Sequence, residues 1–142
     1  MLYQLDDIER LLAEGPGLHV RFSRGFAADL EAGGVDAETG LRLPGYAARP
    51  LDPEPWWTLP TVDWIARQLA RGSYPRHPGS FAWLLRGTVA GRDADGEPLL
   101  TDVEVVGRLA DSLLADAERL WRSRFDSALR VRDDEQILAA HA

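Results

Sequence analysis

A chain of 142 residues is long enough to bury a core of its own, and 45% apolar against 27% charged residues is the balance of one globular domain. A net charge of −7 argues against sequence-independent binding to nucleic acid or to an anionic membrane, and suits solubility or a basic partner. The absence of cysteine excludes a disulfide frame, a thiolate metal site and a cysteine nucleophile, and the scattered His19, His77 and His141 propose no zinc site by spacing.

All sixteen basic residues are arginines, and neither Lys nor Asn occurs. A GC-rich genome explains both gaps through codon usage. The missing lysine also excludes a Schiff-base or P-loop lysine. The opening MLYQLDDIER is acidic and amphipathic where a secretory leader would be basic. No apolar run approaches the roughly 18 residues of a spanning helix, so the expected setting is cytoplasmic.

Taken in order, Leu5, Ile8, Leu11 and Leu12 repeat at helical spacing, with Asp6, Asp7 and Glu9 in the turn that the macrodipole favours for acids. Gly15-Pro16-Gly17 stops that helix. Leu18 to Ser23 alternates as a strand: Leu18, Val20 and Phe22 share one face, and His19, Arg21 and Ser23 the other. Phe26 to Glu31 forms a short helix or a turn before Gly33-Gly34. After an acidic turn at Asp36 to Gly40 and a tight turn at Pro44-Gly45, Tyr46 to Arg49 forms a short strand.

The stretch from Leu41 to Ala70 holds five of the nine prolines and three of the five tryptophans. Pro44, Pro50, Pro53, Pro55 and Pro60 fix φ and bias the residues before them away from the helical region, so Leu43 to Leu59 is extended and turned. Trp56 and Trp57 are neighbours in this stiff segment and are expected on opposite sides. Either one packs inward while the other covers an apolar edge, or together they form an aromatic wall for a ligand or partner. A helix follows from near Pro60, with Thr58 or Thr61 as its cap, an apolar stripe of Val62, Ile65 and Leu69, and Arg67 and Arg71 in its last turns before Gly72.

Ser73 to Ser80 reads as a loop. Phe81 to Ala90 and Leu99 to Val106 read as two strands joined across an Asp-Gly turn, the first covered on both faces at its start and the second with one wet face. Asp111 caps a last helix whose stripe is Leu114, Ala117, Trp121, Phe125 and Ala128. That stripe packs on the chain's own sheet or, alternatively, forms a homodimer surface. Residues 131–142 read as a frayed tail. Helices and strands mix without βαβ alternation, so the expectation is α+β. Residues 1–130 form a single small domain, mainly an antiparallel sheet packed by an N-terminal helix, a middle helix and a long C-terminal helix.

No catalytic signature is present. Asp93 to Glu97 with Glu104 has an outline like a calcium loop, but Pro98 occupies the position that needs glycine, and strands flank it instead of helices. No nucleophile elbow or glycine-rich phosphate loop occurs. The candidate ligand-binding residues are Arg21, Ser23, Tyr46, Arg49, Trp56 and Trp57. Arginine is a bidentate anchor for phosphate or carboxylate, and Tyr or Trp is a stacking plane. Glu97 and Glu104 are the candidate catalytic carboxylates, able to orient a ribose or act as base.

The succession LHVRFSRG, DAETGLRLPGYAARPLDPEPWW, DWIARQL and WLLRGTVAGRDADGEPLL resembles a family of small uncharacterised actinobacterial proteins, the domain of unknown function 6098. The resemblance covers roughly Leu5 to Leu114, is most specific in the PWW block and the GEPL turn, and implies a shared fold without an established activity. A fold-level analogy is similar in order to ADP-ribosyltransferases, which would take NAD. Arg21 or His19, then Tyr46, then Glu97 or Glu104 follow that order, although no S-T-S triplet follows Arg21 and no E-x-E or Q-x-E pair precedes the end. Two functions follow. The first is a binding or accessory domain, for an unknown protein or small molecule, that presents the Pro/Trp segment and needs no cofactor. The alternative is an NAD-using enzyme with Arg21 on the pyrophosphate.

Overall fold

The computed structural model describes residues 1–72 and 79–126. Helix α1 (Leu5–Glu14) carries Asp6 and Asp7 in its first turn but no basic residue in its last. Strand β1 (Leu18–Ser23) follows, and the ambiguous stretch after it is helical, α2 (Phe26–Ala32). Two dipeptide strands, β2 (Tyr46–Ala47) and β3 (Arg49–Pro50), precede helix α3 (Thr61–Gly72). Strands β4 (Phe81–Arg92) and β5 (Pro98–Arg108) form a hairpin; β4 starts where expected and runs two residues further, and β5 extends beyond both expected ends. Helix α4 (Asp111–Trp121) continues into a π-helical turn, Arg122–Asp126. The fold is α+β, as expected.

The antiparallel sheet has the order β2-β5-β4-β1-β3, which makes β4 the central strand. Its two outermost strands are the same stretch of chain, because only Ala48 separates β2 from β3. Tyr46 and Ala47 pair with Leu100 and Leu99, while Arg49 and Pro50 pair with Val20 and His19. Ala48 N–H donates to Pro98 at 3.1 Å and Leu51 N–H to Leu18 at 2.9 Å, so the ladder closes on itself. Closure needs a strongly coiled sheet. Three register shifts between β4 and β5 supply it, and at one of them Asp102 takes φ of 52°. Close approach also fixes Gly45, where a Cβ would overlap the Leu100 carbonyl oxygen and lie 2.7 Å from its carbon.

The sheet separates two apolar clusters. On one side α1, α3 and α4 pack together over β1 and β4, burying Ile8, Leu18, Val20, Ile65, Leu84 and Leu113. On the other, Ala48, Leu85 and Leu100 are buried inside the closed ladder, with Trp83 and Val103 against them. The strand-face assignment of β1 therefore holds, but its polar face looks into the closed ladder instead of into water. His19 is only 4% exposed there, and its Nδ1–H donates to the Gly17 carbonyl at 2.8 Å.

Helix α1 gains its missing positive end from a strand. Arg86 donates to the carbonyls of Leu11 (2.7 Å), Gly15 (3.0 Å) and Pro16 (3.1 Å), where the helix leaves acceptors unpaired. The last helix differs from expectation at both ends. Asp111 is its first residue with Ala110 in the cap position, and α-helical geometry stops at Trp121, before Phe125. Leu113, Leu114 and Ala117 lie within the chain's own core. The expected loop at residues 73–78, the end of the stripe at Ala128, His77, His141 and the tail 131–142 lie outside the described residues. Among the described residues no helix is long and apolar enough to cross a membrane.

Candidate functional site

The proline-rich segment leaves the closed ladder at Leu51, which is fully buried, and is tied back by Asp52, whose carboxylate accepts the Gly17 N–H at 3.0 Å. Pro53 and Pro55 hold the chain out until a turn forms, closed by Trp57 N–H to Glu54 at 2.9 Å. That turn overturns the expectation that Trp56 and Trp57 point to opposite sides. An extended dipeptide would separate them, but the turn swings both indoles toward α3. Trp56, Trp57 and Trp64 pack edge to face in a triangle, with centroids 6.1, 5.7 and 5.2 Å apart. Phe125 of the π-helical turn closes on Trp57 at 6.1 Å and on Trp121 at 4.4 Å.

The three indoles differ in what they can do. Trp64 is 3% exposed and its indole N–H has no partner among the described residues. Trp57 is half-buried and donates to the Pro60 carbonyl at 3.2 Å. Trp56 is 64% exposed, yet two rings hold it from behind. One indole thus packs inward, one sits between, and one presents its surface.

Trp56 stands at the edge of an open groove of about 640 Å³, within the range of small-molecule sites. It is lined by Arg49 of β3, by Arg67 and Gln68 of α3, and by Arg92, Asp95 and Glu97 of the β4–β5 hairpin. Each arginine is held by something other than a carboxylate. Arg49 donates to the Gln68 carbonyl at 3.3 Å, Arg67 lies over the Trp64 ring at 5.1 Å, and Arg92 donates to the Gly96 carbonyl at 2.9 Å. Gln68 is itself fixed by donating to the Pro50 carbonyl at 2.9 Å. Burial, then the nearby charges of Arg71 and Arg49, lower the proton affinity of Arg67 below that of an ordinary arginine.

The hairpin turn is internally braced. Asp93 accepts the N–H groups of Asp95 and Glu97, both at 2.9 Å, and Gly96 takes φ of 83°. This leaves the Asp95 and Glu97 side chains to the groove.

The other candidates gather elsewhere. Arg21 donates through Nε (3.0 Å) and Nη2 (3.3 Å) to Asp29 of α2 and through Nη1 to the Ala47 carbonyl at 2.7 Å. Ser23 Oγ also donates to Asp29, at 2.9 Å. Tyr46 receives the Arg21 guanidinium over its ring at 5.5 Å and packs edge-on against Phe26. Arg21 and Glu97 do line one small cavity of about 230 Å³ with Arg49. Three of the five guanidinium N–H donors of Arg21 are thus engaged within the fold. These contacts join α2 and the closing strand to β1. Glu104 is exposed on β5 opposite Arg86 and lines neither cavity.

A sequence model for a family of unknown function, DUF6098, matches residues 1–131. The chain belongs to the DUF6098 family. The match takes in every element of the described fold and both cavities, so the groove is part of the DUF6098 domain and not an appendage to it. No curated protein and no solved structure matches this DUF6098 chain.

Of the candidates read from sequence, Arg49, Trp56 and Glu97 meet in the groove; Arg21, Ser23 and Tyr46 form the internal cluster. Sequence reading missed Arg67, Arg92, Asp95 and Gln68 as groove residues. A signal existed for one of them, since Arg67 and Arg71 are like charges four apart on a helix, a pair that helices disfavour. It also missed Asp63, which is 2% exposed, has one oxygen without a partner among the described residues, and has its other oxygen 3.7 Å from Arg124.

Proposed function

We propose that this DUF6098 domain is a non-catalytic recognition module, cytoplasmic in setting, that takes its ligand in the groove between the Pro/Trp segment, α3 and the β4–β5 turn. One observation carries the reading: Trp56 is the one indole of its cluster turned largely outward, and it is rigidly backed by Trp57 and Trp64. A free-standing Trp would lose rotamer freedom on binding, whereas a braced one does not. Arg49, Arg67 with Gln68, and Arg92 reach the same groove from three separate elements, and each is oriented by a hydrogen bond or ring contact. Such preorganisation is the ordinary requirement of a binding site.

The test is intrinsic tryptophan fluorescence with a parallel melt, across NAD, common nucleotides and basic peptides, on the wild type and two variants. Trp56→Ala is expected to abolish the response while costing about 1–2 kcal/mol, the worth of its edge contacts with Trp57 and Trp64. Trp64→Ala, at the buried position, is expected to cost about 3–5 kcal/mol. A Trp56→Ala protein that responds as the wild type does would remove Trp56 from the recognition surface.

A further inference from the structure

The arginines of the groove are arranged in a way that internal stability does not require. The protein carries seven more negative than positive charges, and Glu54, Asp95 and Glu97 line the same groove. Yet among the described residues no carboxylate closes an ion pair on Arg49, Arg67 or Arg92. Elsewhere the fold pairs its charges readily, as at Arg21 with Asp29 and Arg10 with Asp7.

In the groove, a backbone carbonyl holds Arg49 and a ring face holds Arg67, contacts that aim a guanidinium without neutralising it. Two like charges, with Arg71 behind them, are thereby kept at mutual repulsion. The carboxylates come from the hairpin turn and the Pro/Trp segment and the two arginines from β3 and α3, and although Glu97 lines a second, smaller cavity together with Arg49, it closes no ion pair on it. The exposed indole of Trp56 lines the same groove.

We infer that the groove binds a small molecule in which an oxyanion, phosphate or carboxylate, is joined to a flat ring, with the oxyanion on Arg49 and Arg67 and the ring on Trp56. This rests on the reading of the groove as a recognition site and specifies its ligand. A guanidinium fork matches either oxyanion in two-point geometry, and an anion relieves the repulsion among the arginines. The volume of about 640 Å³ accommodates a ring and its anion with room beyond for a polar extension, which Asp95 and Glu97 are placed to meet through hydroxyl or amino groups.

Isothermal titration at low salt with phenyl phosphate, benzoate and neutral phenol tests this, and the stronger of the two anions identifies the oxyanion. Both ring anions are expected to bind at least tenfold more tightly than phenol. Arg67→Gln should weaken them tenfold or more and leave phenol unchanged. Trp56→Ala should weaken all three ring probes but not inorganic phosphate. Arg49→Gln serves as the independent variant if Arg67→Gln melts early, and the same tenfold loss is expected. Equal binding of phenol and the anions, anion affinity within twofold of wild type in both arginine variants, or no anion binding at millimolar concentration would each overturn the inference. Anion binding that depends on Trp56 but not on either arginine would remove the oxyanion while leaving the recognition reading intact. Loss of Trp56 dependence would remove both.

Discussion

Single residues set this fold at points where no substitute fits. At Gly45 the Leu100 backbone occupies the space of a side chain, and neither backbone can retreat without breaking the β2–β5 ladder. Gly45→Ala is therefore expected to destabilise by at least about 1–3 kcal/mol, as overpacking does, with the loss read from the urea midpoint. An unchanged midpoint would mean that the closing strand is not held against β5. The sequence shows Pro44-Gly45 as a turn, which is a requirement on dihedral angles. It does not show a requirement on space, because that arises from a strand 55 positions further along. The same limit explains His19 and Arg21. Alternation placed them correctly on the polar face of β1, but which face is wet depends on the strand that closes over it. Asp29, which holds Arg21 and Ser23, lies on a helix with no buried residue and gives no sign of its role in the sequence.

At the scale of elements, the amphipathic helices and the hairpin were legible because each carries its own periodicity. The joins between elements were not. Helix α1 ends without a basic residue and receives Arg86 from a strand that begins far downstream. Removing that guanidinium leaves three carbonyls short of a donor. Arg86→Gln should cost at least about 1.5–3 kcal/mol, the value of hydrogen bonds to a charged group, and should speed amide exchange in α1 more than in β4. Equal effects on both elements would instead assign Arg86 to the sheet. The Pro/Trp segment was recognisable as rigid, but the turn at Glu54–Trp57 changed its meaning by turning two adjacent indoles to one side. Proline fixes its own φ and constrains the residue before it; it does not fix the residue after. The direction of Trp56 and Trp57 was therefore open until α3 supplied Trp64 as their common support.

For the whole molecule, the α+β class and the number of main elements could be read from the sequence, but not the closure of the sheet. Closure rests on residues 46–51, a stretch whose composition looks like a connection. Its amides are nonetheless core amides: Ala48 and Leu51 donate across the two sides of the seam. Native-state hydrogen exchange should find both protected to nearly the same free energy as β4, whereas fast exchange would mean that the seam opens locally. One consequence concerns the order of assembly. The β4–β5 hairpin closes over a short turn and can form early, but the whole seam can close only when β1 and β5 are both in place, since β2 pairs with one and β3 with the other. Contacts between such distant parts of the chain cost loop-closure entropy first and return stability only when complete. The seam is thus the last part of the sheet to lock. Arg49, which lies in the seam, and Trp56, which follows it, reach their working positions only then, so the groove comes into existence with the finished protein and not with any partly folded one.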